Sequence, residues 1–318
     1  MLQKKYPKLI VILGPTASGK TELALKLAKK FNGEIVSSDS RQIYKEMFIG
    51  TASPCSNKLN DNLEFQKPIY IAKIPHYILH VVSPKKEYNM AIYKKMAIKI
   101  IKNIQTRNKL PLLVGGTGLY ISNIVDNFKI PTVPPNKKLR EKIKNEIEKY
   151  GIEKIYQKLL TLDPMAEKFI QKNNPHRIIR ALEVCLITGK PFSIQRQKNN
   201  PIFETLQLGI KISREKLYKK INQRVDQMIK NGLLEETMGL TKKYPWNLQS
   251  MNGIGYKQIG MYLRNEINLD TAIELIKRDT RRYARRQITW FKKDKRIHWI
   301  STQKQAEKII KKTLSQQT

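Results

Sequence analysis

Leu9-Ile-Val-Ile-Leu-Gly-Pro-Thr-Ala-Ser-Gly-Lys-Thr21 decides the fold. Its five leading apolar residues, three of them Ile or Val, have the composition of a parallel strand buried on both faces. Gly14 to Thr21 then fits the phosphate-binding pattern of Gly, four residues and Gly-Lys-Thr. Gly14 and Gly19 allow Pro15, Thr16, Ala17 and Ser18 to wrap an anion, with successive main-chain N–H groups directed inward. Lys20 adds a positive charge, and Thr21 offers a hydroxyl to a magnesium ion. Leu23, Leu27 and Phe31 recur every four positions and predict a helix over residues 21–31, whose N-terminal dipole favours phosphate. Strand, loop and helix in that order separate a diphosphate or triphosphate site from a chance glycine-rich turn.

A chain of 318 residues, 40% of them hydrophobic, accommodates one or two domains with a substantial core. Two cysteines, Cys55 and Cys185, argue against a disulfide framework and against a zinc finger, and so favour a reducing compartment. The basic start is followed by an apolar run of only five residues, too short for a signal peptide or a membrane span. The charge is the outlier: Lys and Arg number 61 against 26 Asp and Glu, a net charge of +35. The compartment is read as cytoplasmic, and the charge calls for a polyanionic partner, with nucleic acid ahead of an anionic membrane surface.

Gly33-Glu-Ile-Val-Ser37 predicts a second strand, which delivers Asp39 to the carboxyl edge of the sheet, where open α/β sheets place their ligands. The competing reading of Asp39 is a helix N-cap for the segment after it. Residues 52–68 are polar, contain two prolines and read as a surface loop. Tyr77 to Val82 predicts a strand, and Met90 to Ile104 a helix with Ile92, Met96 and Ile100 on one face. Leu110 to Val114 predicts another buried strand running into Gly115-Gly-Thr-Gly-Leu-Tyr120. Glycine there, in place of the acidic residue of a magnesium-dependent ATPase, counts against a nucleotide-hydrolysing motor.

Lys129-Ile-Pro-Thr-Val-Pro-Pro135 is a proline-rich hinge, after which the pattern turns helical through Leu139, Ile143 and Ile147, then Ile152, Ile155 and Leu159, then Pro175 to Val184. Strand character returns with a period-two pattern over residues 205–212, and Leu217, Ile221, Val225 and Ile229 form a helical seam with Arg224 beside it. Arg278, Arg281, Arg282, Arg285 and Arg286 fall at helical spacing and are candidates for phosphate contact. The expectation is an α/β protein with a P-loop nucleoside-triphosphate-hydrolase-like core and parallel sheet, made of residues 1–130 and 205–318. A helical insertion domain occupies residues 131–204.

Gly14 to Thr21, Asp39-Ser-Arg-Gln-Ile-Tyr44, Ile49-Gly-Thr-Ala52 and Gly115 to Tyr120, taken with Arg177 to Val184, Gly253-Ile-Gly-Tyr256 and Thr280 to Phe291, resemble one family in order along the chain. They are similar to the bacterial-type tRNA dimethylallyltransferases, which prenylate N6 of adenosine 37 beside the anticodon. The resemblance implies that Gly14 to Thr21 holds the diphosphate of dimethylallyl diphosphate, with Thr16 at its bridging region and Thr21 on Mg2+. It further implies that Arg224 clamps the diphosphate and that Asp39 accepts the N6 proton. Asp39, Ser40, Arg41, Gln42, Thr117, Arg140 and the run His176, Arg177, Ile178, Ile179, Arg180 match positions that touch tRNA. No membrane role follows, and the enzyme is expected to be a monomer.

Three positions depart from the family pattern: His80, Ser83 and Asn174 stand where aspartates are usual. The alternatives are a P-loop small-molecule kinase with Asp39 as base, a nucleic-acid-binding ATPase, and a prenyltransferase acting on free adenine nucleotides. The helical basic insertion and the net charge are features that a small acceptor does not require.

Overall fold

The computed structural model describes residues 6–55, 66–131, 133–195 and 197–315. The chain forms two compact units, one from the chain up to Val125 and from Pro201 onward, the other from Asp126–Asn200. In the first unit, β1 (Lys8–Leu13) feeds the phosphate loop and α1 (Lys20–Lys30), followed by β2 (Gly33–Ser38), β3 (Ile69–Ile71) and β4 (Ile74–Tyr77). Then come α2 (Met90–Thr106), β5 (Leu110–Gly115) and α3 (Gly118–Val125). The second unit holds α4 (Lys137–Tyr150), α5 (Ile152–Leu162), a short 3-10 helix at Pro164–Lys168 and α6 (Pro175–Thr188). The chain returns to the first unit with β6 (Glu204–Ile210), α7 (Arg214–Lys230), α8 (Leu233–Thr241), α9 (Tyr256–Leu263), α10 (Leu269–Phe291), β7 (Ile297–Ile300) and α11 (Gln303–Ser315).

The sheet runs β3-β4-β2-β5-β1-β6-β7. All neighbours pair parallel except β3 with β4. The α/β class with a parallel sheet is therefore as expected. β1 lies between β5 and β6, so its residues Leu9 to Leu13 have no exposed surface. One face of the sheet packs through Leu9, Val11, Val36 and Leu113 on Tyr93, Ile101, Ile121 and Ile124. The other packs through Ile10, Ile12, Leu112 and Leu208 on Leu27, Ala306 and Ile310. This covering of both faces is what a near-continuous apolar strand requires. Because β1, β2 and β5 are parallel neighbours in register, the loops after Leu13, Ser38 and Gly115 emerge at one edge.

Several local expectations are corrected. The strand expected over residues 77–82 ends at Tyr77, and β3 and β4 form a hairpin before it. Ile78 and His80 take φ of 61° and 51°, a left-handed backbone that no strand continues through. His80, Val81 and Val82 instead donate main-chain hydrogen bonds to Gln42 and Ile43. The helix expected from Met90 is present as α2; its buried face is Tyr93, Ala97, Ile100, Ile101 and Ile104, and Ile92 is exposed. Residues 206–209 of β6 are all buried rather than alternating, because β6 is flanked by β1 and β7. Asp39 caps no helix, since residues 40–47 form turns. Most of the polar stretch 52–68, residues 56–65, lies outside the described residues.

The second unit packs its three α-helices around Ile143, Ile155, Leu159, Ile178, Ile179, Ala181 and Leu182. Asn174 caps α6 by accepting from the Arg177 N–H at 3.2 Å, with Pro175 at the first helical turn, where its missing N–H costs no bond. Among the described residues, no helix is long and apolar enough to cross a membrane.

Candidate active site

The phosphate loop closes onto α1 through Gly19, whose φ of 91° is a conformation that side chains disfavour. Lys20 Nζ donates to Pro15 O at 2.7 Å, and Ser18 N to the same carbonyl at 3.3 Å. Thr16 N donates instead to Gln287 Oε1 at 2.8 Å, from α10. The Ser18 hydroxyl is buried without a protein partner, a polar group that a bound anion would satisfy. Burial pushes the Lys20 ammonium down to about 8; Asp39 opposes the shift and Arg224 adds to it.

Asp39 follows β2 directly. Its Oδ1 accepts from the N–H of Arg41 at 2.8 Å and of Gln42 at 3.4 Å, a short turn that fixes the carboxylate. The glycine loop after β5 lies against this turn. A Cβ on Gly115 would fall 2.1 Å from Ser38 O, so only glycine admits the approach. Thr117 N donates to Ser38 O at 3.2 Å, and Thr117 Oγ1 accepts from Ser40 N at 3.0 Å. Gln42 Nε2 holds the carbonyls of Thr51 and Ala52 at 3.2 Å each, and Arg41 donates to Gln249 O at 2.8 Å.

These segments enclose a cavity of about 370 Å3. Thr16 and Asp39 line it with Ser40 and Arg41, facing Arg224, Val225 and Met228 of α7 and Ile276, Thr280, Tyr283 and Arg286 of α10. Gly50, Thr51, Ala52, Asn252 and Ile254 complete the wall. Burial lowers the Arg224 pKa and the nearby Asp39 charge restores part of it. Tyr283 is pushed up to about 12 by burial and then by Asp39, with Thr117 acting in the opposite direction. Three arginines, Arg41, Arg224 and Arg286, thus line this space with one carboxylate, Asp39, a charge balance suited to a polyvalent anion. A larger cavity of about 600 Å3 borders Pro15 between Ile210, Leu217, Tyr218, Ile288 and Trp299. It has no carboxylate in its lining, so of the two cavities the smaller is the one that offers a carboxylate.

The structure brings together Thr16, Asp39, Ser40, Arg41 and Arg224 around one space, with Gln42 and Thr117 bracing it from behind. Thr280, Tyr283 and Gln287 were not singled out by the sequence reading, which followed the arginines of the same helix. Their spacing of three and four was the available signal, since it puts them on one face of α10. The arginines do not make one phosphate-binding face: Arg281 donates to Asn222 at 2.7 Å, and Arg278 and Arg282 pair with Asp279.

In the second unit, His176 and Arg177 are exposed, but Ile178 and Ile179 are 0% and 6% exposed and belong to its core, so their side chains cannot face RNA. Arg140 and Arg180 are committed to Glu183, which is fully buried. Arg140 grips both carboxylate oxygens at 2.8 Å, and Arg180 donates at 2.6 Å and also bonds Val133 O at 3.0 Å. A buried carboxylate needs such partners, and both arginines are first of all its counter-ions.

The departures from the family pattern also have structural roles. His80 Nδ1 lies 2.8 Å from Tyr44 O, which can only accept, so Nδ1 carries the proton and Nε2 accepts from Ser53 Oγ at 2.6 Å. Burial holds His80 down at about 4, and it is neutral at pH 7. Ser83 accepts from Lys85 N at 3.4 Å.

Residues 42–294 match the family model described as IPP transferase. The tRNA dimethylallyltransferase of Halothermothrix orenii is 44% identical over 297 residues, covering 92% of this chain and 87% of that protein. The crystal structure of a tRNA delta(2)-isopentenylpyrophosphate transferase from Staphylococcus epidermidis is 36% identical with a TM-score of 0.67, covering 98% of this chain and all of that one. A eukaryotic dimethylallyltransferase captured acting on tRNA is 31% identical with a TM-score of 0.73, covering 89% of this chain and 69% of that one.

Proposed function

The chain belongs to the IPP transferase family, and on that premise we propose that it transfers the dimethylallyl group of dimethylallyl diphosphate to N6 of adenosine 37 in tRNA. The observation that carries the reading is the convergence of Thr16, Asp39 and Arg224 on one cavity at the mouth of a phosphate loop. An exocyclic adenine amine is a weak nucleophile because its lone pair is delocalised into the ring. The Asp39 carboxylate accepts a hydrogen bond from N6–H and takes the proton as the C–N bond forms. The allylic C–O bond breaks as that bond forms, and negative charge gathers on the departing diphosphate. Main-chain N–H groups of the loop, Lys20 and Arg224 stabilise that charge, so the loop holds the group that leaves. ATP fits the same loop pattern, but it carries no prenyl group to transfer.

Magnesium suits a site of this kind. Among the described residues, no three His, Cys, Asp or Glu side chains gather to hold a metal. The Thr21 hydroxyl, exposed in the first turn of α1, is a hard oxygen donor of the kind Mg2+ takes when substrate phosphates supply the remaining ligands. When bound, the ion would neutralise charge on the diphosphate. Cys55 and Cys185 are free thiols, in keeping with the cytoplasm.

Adenosine 37 must leave its stack to bring N6 to Asp39. The second unit serves in this reading as the clamp on the anticodon stem-loop, through exposed His176 and Arg177. Arg177→Ala is expected to weaken stem-loop binding by about 3- to 10-fold and to reduce the salt slope by about 1. Binding and salt slope equal to wild type in a fluorescence titration would reject the clamp role. The whole reading is tested by incubating protein, Mg2+ and dimethylallyl diphosphate with an anticodon stem-loop carrying adenosine 37. One isopentenyl mass increment on that nucleoside is expected; RNA that binds but gains no mass would refute it.

A further inference from the structure

We propose that Gln287 is a positioning residue that sets the spacing between the diphosphate cradle and the segment bearing Asp39; this rests on the reading above. Gln287 is 6% exposed and comes from α10, which belongs to neither loop. Its Oε1 accepts from Thr16 N at 2.8 Å and its Nε2 donates to Gly116 O at 2.8 Å. A neutral amide is suited to both tasks at once, accepting through one atom and donating through the other. Gly116 is cut to fit, because a Cβ there would lie 2.3 Å from Gln287 Nε2.

The connections continue on both sides. Thr117, next in the chain after Gly116, holds Ser38 O and Ser40 N, the two main-chain groups that flank Asp39. Thr16 lines the cavity beside Asp39. One buried side chain therefore joins the donor end of the site to the acceptor end. It also occupies the Thr16 N–H, which leaves the cradle to the loop donors after Thr16. In an in-line displacement the leaving group and the base must keep a fixed separation, and a shift of about 1 Å in such a constellation can lower the rate about 10²-fold.

The test uses two variants of the full chain, assayed by single-turnover transfer to the stem-loop, by RNA titration and by thermal melting. Gln287→Met keeps the volume and loses both hydrogen bonds. It is expected to slow transfer about 10²-fold while RNA affinity stays within about twofold. Gln287→Glu discriminates positioning from packing. As a carboxylate it accepts from Thr16 N but cannot donate to Gly116 O; protonated, it can do both. Its transfer rate relative to wild type is therefore expected to rise as pH falls from about 8 to about 5.5, since burial lifts a glutamic acid above its usual value of about 4.3. Gln287→Met transferring at the wild-type rate, a Gln287→Glu ratio that is flat with pH, or losses explained by the unfolded fraction would each overturn the proposal. Wild-type protein that leaves the stem-loop unmodified would reject the function itself, and the positioning role with it.

Discussion

Asp39→Asn is expected to lower single-turnover prenyl transfer by about 10³-fold while leaving tRNA affinity within a few-fold. The amide is the informative substitution because Asp39 does two things. Its Oδ1 accepts from Arg41 N and Gln42 N and so shapes the turn after β2. Asparagine keeps that acceptor, so the turn and its neighbours Ser40 and Thr117 stay in place. What it loses is the charge and the capacity to take a proton, and its NH2 would meet the N6 amine donor to donor. Asp39→Ala removes the turn acceptor as well, and the difference between the two variants measures the structural share. A rate for Asp39→Asn within tenfold of wild type, at saturating donor and RNA, would eliminate the general-base role.

The parts of this molecule that were legible in the sequence are those whose physics is local. Leu9 to Thr21 carries its own strand, loop and helix signals, and the structure returns β1, the loop and α1 within one residue of those bounds. Gly115 was visible as a glycine, although its reason, the 2.1 Å approach to Ser38 O, depends on β2 and β5 being paired. What was not legible shares a cause. Whether Ile178 faces solvent, or Arg140 faces RNA, depends on what packs opposite, and no spacing within α6 reveals that Glu183 waits between two arginines. The buried side of α2 has the same origin: Tyr93 is covered by Tyr120 of α3, whose ring stacks on it with centroids 4.0 Å apart. Gln287 lay in a motif already noticed, but its partners are 271 and 171 residues away. The arginines beside it drew the reading toward charge, where the decisive group is neutral.

Charge decides the second large effect. Arg224→Gln is expected to lower kcat/KM for the prenyl diphosphate by about 10²- to 10³-fold, the range for removing a group aimed at developing charge. The guanidinium is partly buried in the Asp39 cavity, and no hydrogen bond or salt bridge joins it to a described residue, so the diphosphate is its natural counter-ion. The same substitution has a second consequence through Lys20. In the free enzyme burial and Arg224 hold that ammonium down at about 8, so kcat/KM is expected to fall as pH rises through 8 and the lysine becomes neutral. Removing the like charge of Arg224 moves that descending limb to higher pH. Stability of the unliganded protein runs the other way: between about 8 and the ordinary value of 10.5 the unfolded chain binds the Lys20 proton and the folded chain does not, so this group favours folding more as pH rises. Donor affinity and fold stability with opposite pH slopes over one window are the signature of a buried lysine kept for an anion. A pH profile in which Arg224→Gln leaves the alkaline limb where it was would show that Lys20 and Arg224 do not share the diphosphate.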